Sequence, residues 1–90
     1  MSSPAVVLYR RDGCHLCDEA RAELLALRPD LPRFELREVD IEADEALHAA
    51  MLERIPVIEV GGAVVCELGL DREAVARALT EVAAARRQIP

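Results

Sequence analysis

Apolar and polar positions in the first third of the chain follow patterns that predict a strand and then a helix. Residues 5–9 form a continuous apolar run, which is typical of a strand covered on both faces. After a polar turn at residues 10–13, apolar residues recur every three or four positions, which predicts a helix beginning near Cys14. Its buried stripe is predicted to comprise Cys17, Ala20, Leu24 and Leu27. Pro29 and Pro32 should end this helix, because proline lacks the N–H group that a helix needs.

The middle of the chain predicts an edge strand and a short helix. Phe34 and Leu36 alternate with charged residues, which is typical of a half-exposed strand at a sheet edge. Either Asp40 or Asp44 is suited to cap the helix that follows. The inner face of that helix is predicted to comprise Leu47, Ala50 and Met51.

The last part of the chain predicts a hairpin and a final helix. Residues 55–60 and 63–68 are strand-like runs, and Gly61-Gly62 between them permits a tight primed turn because glycine tolerates positive φ. Asp71 is suited to cap the final helix. The inner stripe of that helix is predicted to comprise Val75, Ala78, Leu79 and Val82.

The predicted order of elements is β-α-β-α-β-β-α, which is an α/β arrangement. The chain has 90 residues, enough for one domain over residues 1–90 and too few for two. The initial β-α-β unit implies a parallel, right-handed crossover. The glycine hairpin adds an antiparallel pair, so the sheet should be mixed, with helices packed on it.

Charge and composition disfavour several classes of partner. The formal net charge is −6, whereas nucleic-acid binders usually show a basic face. The apolar runs are much shorter than the roughly 18–20 residues that cross a bilayer, and the first residues lack the pattern of a secretory signal. We therefore expect a cytoplasmic protein that binds neither nucleic acid nor membrane. We also expect a monomer.

The clearest chemistry in the sequence belongs to Cys14 and Cys17, at the junction of the first strand and the first helix. Unpaired N–H groups and the positive end of the helix dipole stabilise an anion there, so the pKa of the Cys14 thiol should lie below the ordinary value of about 8.5. The thiolate is the nucleophile of disulfide exchange. Cys17, three residues on, is within reach to attack the mixed disulfide that forms. A CxxC pair in this position favours redox catalysis.

Two other interpretations of the pair remain open. One is a structural zinc site, which needs four ligands, and only Cys66, His15 and His48 are left to complete it. The other is a purely structural pair on a buried helix face. Cys66, which a two-residue turn places opposite Val57, is predicted to be a small buried hydrophobe.

Two motifs stand out within this order of elements: Gly-Cys-His-Leu-Cys-Asp at residues 13–18 and Arg-Ile-Pro-Val at residues 54–57. They make residues 5–87 resemble the glutaredoxin-like branch of the thioredoxin superfamily, especially its short bacterial members. The resemblance implies a thioredoxin-like fold with a four-stranded sheet in the order 2-1-3-4 and helices on both faces. It also implies a cis Ile55–Pro56 bond that faces the cysteine pair, with the backbone at Ile55 binding an extended substrate.

The function that the resemblance implies is thiol–disulfide oxidoreduction, with Cys14 as the nucleophile and Cys17 as the resolving cysteine. The enzyme would reduce protein or glutathione mixed disulfides in cell redox homeostasis. Glutathione or a thioredoxin reductase system would supply the electrons, and no bound cofactor or metal is expected. Arg11, Arg54 and Asp71 are further candidates for substrate binding, since guanidinium groups suit the carboxylates of glutathione. The alternatives are a metal- or iron–sulfur-binding module on the same fold, or a non-catalytic adaptor.

The chain departs from dithiol glutaredoxins at two places. His15-Leu16 stands between the cysteines where Pro-Tyr is common, and Leu68-Gly69 stands where relatives use two glycines to bind glutathione. The cysteine pair therefore predicts disulfide exchange more strongly than it predicts glutathione as the partner.

Overall fold

The protein forms the strands and helices that the sequence predicts, in the predicted order, but the third strand begins at Val57 and not at Ile55 as predicted. A computed structural model describes residues 3–87, with Arg87 described by its backbone alone. The strands are β1 (Ala5–Arg10), β2 (Glu35–Asp40), β3 (Val57–Val60) and β4 (Ala63–Glu67). The α-helices are α1 (His15–Leu27), α2 (Glu45–Met51) and α3 (Arg72–Arg87), and short 3-10 helices cover Arg28–Asp30 and Ile41–Ala43. None of the described helices is both long and apolar enough to cross a lipid bilayer.

The four strands make one mixed sheet in the order β2-β1-β3-β4. β1 runs parallel to β2 and antiparallel to β3, and β3 and β4 form an antiparallel hairpin. α1 supplies the crossover that two parallel neighbouring strands require. The strand order that the resemblance implies is confirmed, and β2 lies at a sheet edge as its alternating pattern predicts.

The main core fills the space between one face of the sheet and the helices α1 and α3. Its buried residues are Val6, Leu8, Ala20, Leu24, Phe34, Ile58, Val60, Cys66, Val75 and Leu79. Val6 and Leu8 of β1 pair with Val60 and Ile58 of β3, so these alternate side chains share one face. All four residues of the predicted α1 stripe are buried, which confirms that stripe.

Asp40 and Asp44 both cap helices, one for each short helix after β2. The Asp40 carboxylate accepts a hydrogen bond from the Glu42 N–H at 2.9 Å, at the start of the 3-10 helix. The Asp44 carboxylate accepts two from the first turn of α2, at 2.8 and 3.1 Å. The chain therefore turns twice before β3, with each turn fixed by an aspartate.

The inner face of α2 differs in part from the prediction. Leu47 and Met51 are half-buried, but Ala50 is exposed, so its placement on the inner face is wrong. α2 is only seven residues long, and Ile41 of the preceding 3-10 helix is completely buried beside it. Ile41 thus supplies the apolar contact that a longer helix would have provided.

The β3–β4 hairpin turns at Gly61 and Gly62, whose φ angles are +60° and +87°. Two positive φ values are what a primed two-residue turn requires. An irregularity next to Ile58 then shifts the register, so that Cys66 pairs with Ile58. The prediction that Cys66 lies opposite Val57 is wrong, because a β-bulge adds one residue to β4 and interrupts the regular ladder.

Candidate active site

Cys14 is the N-cap residue of α1. β1 ends at Arg10, and a tight turn leads into the helix, with the Cys14 N–H donating to the Arg11 carbonyl oxygen at 3.4 Å. Gly13 permits this turn, because its φ of +78° is unfavourable for residues that carry a side chain. The local sequence therefore brings the Cys14 side chain to the first turn of α1.

A disulfide bond joins Cys14 and Cys17, whose Cα atoms are 5.2 Å apart. The Cys17 N–H donates a hydrogen bond to Cys14 Sγ at 3.1 Å. Cys17 is completely buried, whereas Cys14 is half-buried, so the two cysteines differ in access. Once the disulfide is reduced, the same N–H group and the helix dipole favour a thiolate at Cys14.

The cysteine pair belongs to a small apolar cluster, the site cluster, which is distinct from the main core. Its buried residues are Cys17, Ile41, Ile55 and Val57, and Tyr9, Cys14, Leu47 and Met51 pack against them. Ile55 and Val57 flank Pro56, whose side chain is also fully buried. The Ile55–Pro56 peptide bond is cis. The site cluster therefore brings the segment around Pro56 and the cysteine pair together.

Tyr9, the last residue but one of β1, packs its ring against the site cluster. Burial raises the pKa of its hydroxyl above the ordinary value, and a hydrogen bond with Glu59 and the charge of that carboxylate raise it further. The hydroxyl therefore stays protonated at neutral pH. Tyr9 combines an apolar body in the cluster with a polar tip held by Glu59.

Arg10 offsets negative charge close to the cysteine pair. Its Nη2 lies 2.7 Å from Asp18 Oδ1 and its Nη1 lies 3.5 Å from Glu38 Oε1, with the arginine side chain only 18% exposed. Asp18 directly follows Cys17 in α1. Without the guanidinium, the Asp18 carboxylate would oppose a thiolate at Cys14.

Arg11 and Arg54, two of the predicted substrate-binding residues, already have partners within the chain. Arg11 Nε lies 3.7 Å from Glu42 Oε1. Arg54 donates two hydrogen bonds to the Glu67 carboxylate, each 3.0 Å long, which is the strong bidentate form of such a pair. These hydrogen bonds and the positive charge of Arg54 lower the pKa of the Glu67 carboxyl. Both guanidinium groups are therefore neutralised by carboxylates.

Asp71, the third of those residues, caps α3. Its Oδ1 accepts hydrogen bonds from the N–H groups of Glu73 and Ala74, both at 3.1 Å, and its own N–H donates to Cys66 Sγ at 3.4 Å. Cys66 lies in the main core, where burial raises the pKa of its thiol. The prediction of a small buried hydrophobe at Cys66 is confirmed, and Cys66 lies outside the site cluster.

The described residues do not gather a set of metal ligands. Between residues 3 and 87, no three His, Cys, Asp or Glu side chains are placed so that they could hold one metal ion. His15 is highly exposed and lies 3.3 Å from Glu19 Oε1.

The backbone of Leu68 is a feature that the sequence does not reveal. Residues 63–68 predict a strand that ends at Leu68, but β4 ends at Glu67 and Leu68 has a φ of +63°. Its N–H donates to the Arg54 carbonyl oxygen at 3.0 Å. Leucine rarely adopts a left-handed conformation, so the residue type gave no signal.

Known proteins share both the sequence pattern and the fold of this chain. The family described as "Glutaredoxin-like domain (DUF836)" matches residues 5–80. Protein Ne2328 from Nitrosomonas europaea is 30% identical over 86% of this chain and 92% of that one, with a TM-score of 0.74. Protein XcR50 from X. campestris is 32% identical over 84% of this chain and 96% of that one, with a TM-score of 0.61.

More distant structures extend the likeness to the fold alone. Thioredoxin 1 from Thermosipho africanus TCF52B is 10% identical, and the comparison covers 93% of this chain and 99% of that one with a TM-score of 0.59. No protein with a curated description matches the chain. The predicted thioredoxin-like fold is therefore confirmed.

Proposed function

The chain belongs to the family of glutaredoxin-like domains, and on that premise we propose that it is a thiol–disulfide oxidoreductase. The observation that supports this most is the unequal cysteine pair at the N-terminus of α1. Cys14 is half-buried and accepts a backbone hydrogen bond, whereas Cys17 is completely buried beneath it. Disulfide exchange by two successive attacks needs one sulfur that the substrate can reach and a second sulfur that can reach the first.

The first step is attack by Cys14. In the reduced protein, the Cys14 thiolate attacks one sulfur of a substrate disulfide, and the S–S bond of the substrate breaks. A mixed disulfide forms between Cys14 and the substrate, and the departing sulfur leaves as a thiolate that takes a proton from water. The Cys17 N–H and the start of α1 stabilise the attacking thiolate, and Arg10 offsets the charge of Asp18.

The second step is resolution by Cys17. Cys17 attacks Cys14 Sγ as a thiolate, and the mixed disulfide breaks. The second substrate sulfur leaves as a thiolate and takes up one proton, which balances the proton that Cys17 released. Two electrons have then passed from the protein to the substrate. The Cys14–Cys17 disulfide is the oxidised product of this half-reaction. Glutathione or a thioredoxin reductase system returns the two electrons.

The segment around Pro56 is the proposed substrate-binding edge. Ile55 belongs to the site cluster with both cysteines, so an extended substrate bound along its backbone would lie next to Cys14. Arg11 and Arg54 can bind glutathione only by exchanging their present carboxylate partners, and Asp71 only while also capping α3. We place the enzyme in the reducing cytoplasm, as a monomer acting on protein or glutathione mixed disulfides.

The test is the reduction of bis(2-hydroxyethyl) disulfide and of a protein disulfide. Each is assayed with glutathione plus its reductase, and with NADPH plus thioredoxin reductase. We expect turnover by the wild-type protein in at least one system. Cys14→Ser should lower the rate at least about 100-fold, because the nucleophile is lost. Cys17→Ser should stop dithiol turnover while leaving a glutathione-dependent reaction at Cys14.

Cys66→Ala is the matched control, because it removes a cysteine from the main core instead of the site cluster. It should keep the wild-type rate in every assay. Undiminished activity of Cys14→Ser would overturn the proposal. So would a wild-type protein that is inactive with both disulfides in both systems.

A further inference from the structure

Leu68 combines two features that a folded chain normally avoids. Its φ of +63° is left-handed, although its side chain makes that conformation unfavourable. Leu68 is also 60% exposed, more than any other large apolar residue in residues 3–87. Strained backbone geometry is most often kept where function needs it. Leu68 therefore presents an apolar side chain to solvent from a backbone conformation that leucine rarely adopts.

That place is the edge of the proposed active site. Val57, which directly follows Pro56, pairs with Glu67, and Leu68 is the first residue after that pair. The Leu68 N–H donates to the Arg54 carbonyl oxygen at 3.0 Å, and the Arg54 side chain holds Glu67 through two hydrogen bonds. These hydrogen bonds hold Leu68 beside the segment that contacts the cysteine pair.

Leu16 adds a second apolar side chain at the site. It lies between the two cysteines and is 49% exposed, second only to Leu68 among the large apolar residues that the structure describes. Its position in the first turn of α1 brings it close to any molecule whose sulfur reaches Cys14. Of the two most exposed large apolar residues that the structure describes, Leu16 therefore lies between the two cysteines and Leu68 lies beside the segment that leads into Pro56.

The charges around the site favour an apolar partner over a small anionic one. Arg10 and Arg11 precede Cys14 by a few residues, Arg54 precedes Pro56 by two, and each of the three is held by a carboxylate. A ligand with free carboxylates would have to displace those groups. An apolar side chain next to a disulfide meets no such competition and would cover exposed leucine surface.

We propose that Leu68, together with Leu16, is a specificity-determining surface that selects protein disulfides in which an apolar side chain neighbours the reactive cysteine. The partner is an extended polypeptide segment that lies along Ile55 and Pro56 and covers Leu68. This inference rests on the proposed function and names its substrate class.

The experiment uses pre-reduced protein in single-turnover reactions, so that no external electron donor is needed. The substrates are two short peptides, each oxidised to its symmetric disulfide, with Leu or Ser next to the cysteine, and bis(2-hydroxyethyl) disulfide. The variant is Leu68→Gly, since glycine accepts a left-handed φ and keeps the fold. Val64→Ser is the matched control, because Val64 is 43% exposed near the hairpin turn, at the other end of β4.

Wild-type protein should react about five- to tenfold faster with the Leu peptide than with the Ser peptide. Leu68→Gly should lose this preference while keeping its rate with bis(2-hydroxyethyl) disulfide, and Val64→Ser should keep the preference. A wild-type protein without preference, or a Leu68→Gly variant that slows equally with all three substrates, overturns the inference.

Failure of the proposed function gives a different result, since no disulfide would then oxidise the cysteine pair. Binding is measured separately, by titrating ¹⁵N-labelled oxidised protein with the Leu and Ser peptides after their cysteine is replaced by serine. The amide signals of Leu68 and Leu16 should shift with the Leu peptide and much less with the Ser peptide. Equal or absent shifts overturn the inference independently of any catalysis.

Discussion

The main core and the site cluster are built in different ways, although they lie against the same sheet. The main core has ten buried residues, most of them from β1, β3, α1 and α3. The site cluster has four, and two of these, Ile41 and Ile55, lie outside the α-helices and strands. α2, which packs beside it, has no buried residue of its own. Stability should therefore depend mainly on the main core, and changes in the site cluster should alter chemistry more than stability.

The largest expected effect is the loss of stability on truncating the main core. Leu24 is completely buried, so Leu24→Ala should lower the free energy of unfolding by about 2–5 kcal/mol through lost burial and the cavity left behind. Leu47→Ala removes a half-buried side chain from the site cluster and should cost less than half as much. Leu25→Ala, on the exposed side of α1, should change stability by less than about 0.5 kcal/mol. Urea unfolding of the oxidised proteins measures all three, and equal losses for Leu24 and Leu47 would contradict the comparison.

Gly61 and Gly13 allow the main core to be compared with the site through changes in the backbone. A Cβ at Gly61 would meet Val82 Cγ2 at 2.9 Å, whereas a Cβ at Gly13 would meet nothing within 4 Å. Both residues have positive φ, so alanine at either position should lower the free energy of unfolding by about 1–2 kcal/mol. Gly61→Ala adds a clash with the main core. Gly61→Ala should therefore lose more stability, and Gly13→Ala should lose more reductase activity because the turn before Cys14 must shift.

Unfolding curves and disulfide-reduction rates per folded molecule check this pair of variants. Gly62→Ala is the control, since Gly62 also has positive φ but its Cβ would lie in open space. It should resemble Gly13→Ala in stability and the wild-type protein in rate. A Gly61→Ala variant that loses as much activity per folded molecule as Gly13→Ala would show that the two regions are not independent.

The sequence predicts features that lie within single helices and strands better than it predicts the details of the site cluster. The stripes of α1 and α3 follow from helical periodicity, because long helices repeat the pattern often enough to define one face. The hairpin follows from Gly61-Gly62, and the position of Cys14 from the boundary between a strand and a helix. These features lie within single elements or at their ends, so local sequence determines them.

The details of the site cluster depend on contacts between elements, which local patterns do not contain. The irregularity next to Ile58 brings Glu67 opposite Val57, and the pairing of Glu67 with Arg54 follows from that shift. α2 is too short for its periodicity to distinguish Ala50 from its neighbours. The left-handed backbone of Leu68 has no signal in the residue type. The family resemblance supplied the strand order, which periodicity alone did not determine.

A smaller effect is expected in the reactivity of cysteines from the two regions. In the reduced protein, Cys14 should react with iodoacetamide at neutral pH at least about tenfold faster than Cys66. Cys14 is half-buried at a helix N-terminus, whereas burial in the main core raises the pKa of the Cys66 thiol and reduces its thiolate fraction. Peptide mass spectrometry over a time course measures both rates. Urea should abolish the difference, and equal rates in the native protein would show that the start of α1 does not activate Cys14.

The smallest effect is expected from the exposed Arg54–Glu67 pair, which joins the segment before β3 to the end of β4. Arg54 stabilises the ionised carboxylate, so the pKa of Glu67 is lower in the folded protein than in the unfolded chain. Its contribution to stability is therefore present above the ordinary glutamate pKa of about 4.3 and is lost as the pH falls through the lowered folded value. Because both side chains are well exposed, the gain is small. Glu67→Gln should thus be slightly less stable than the wild-type protein at neutral pH, and this difference should shrink when the pH is lowered to about 3.

Urea unfolding of the oxidised proteins at the two pH values measures this difference. Glu35→Gln is the control, because Glu35 is exposed on β2, the edge strand farthest from β4 in the sheet. Glu35→Gln removes one negative charge, as Glu67→Gln does, but it leaves the segment around Pro56 unchanged. A stability difference for Glu67→Gln that stayed constant with pH would mean that the ion pair contributes nothing. The hydrogen bond between the Leu68 N–H and the Arg54 carbonyl oxygen would then be the contact that fastens this edge of the site cluster.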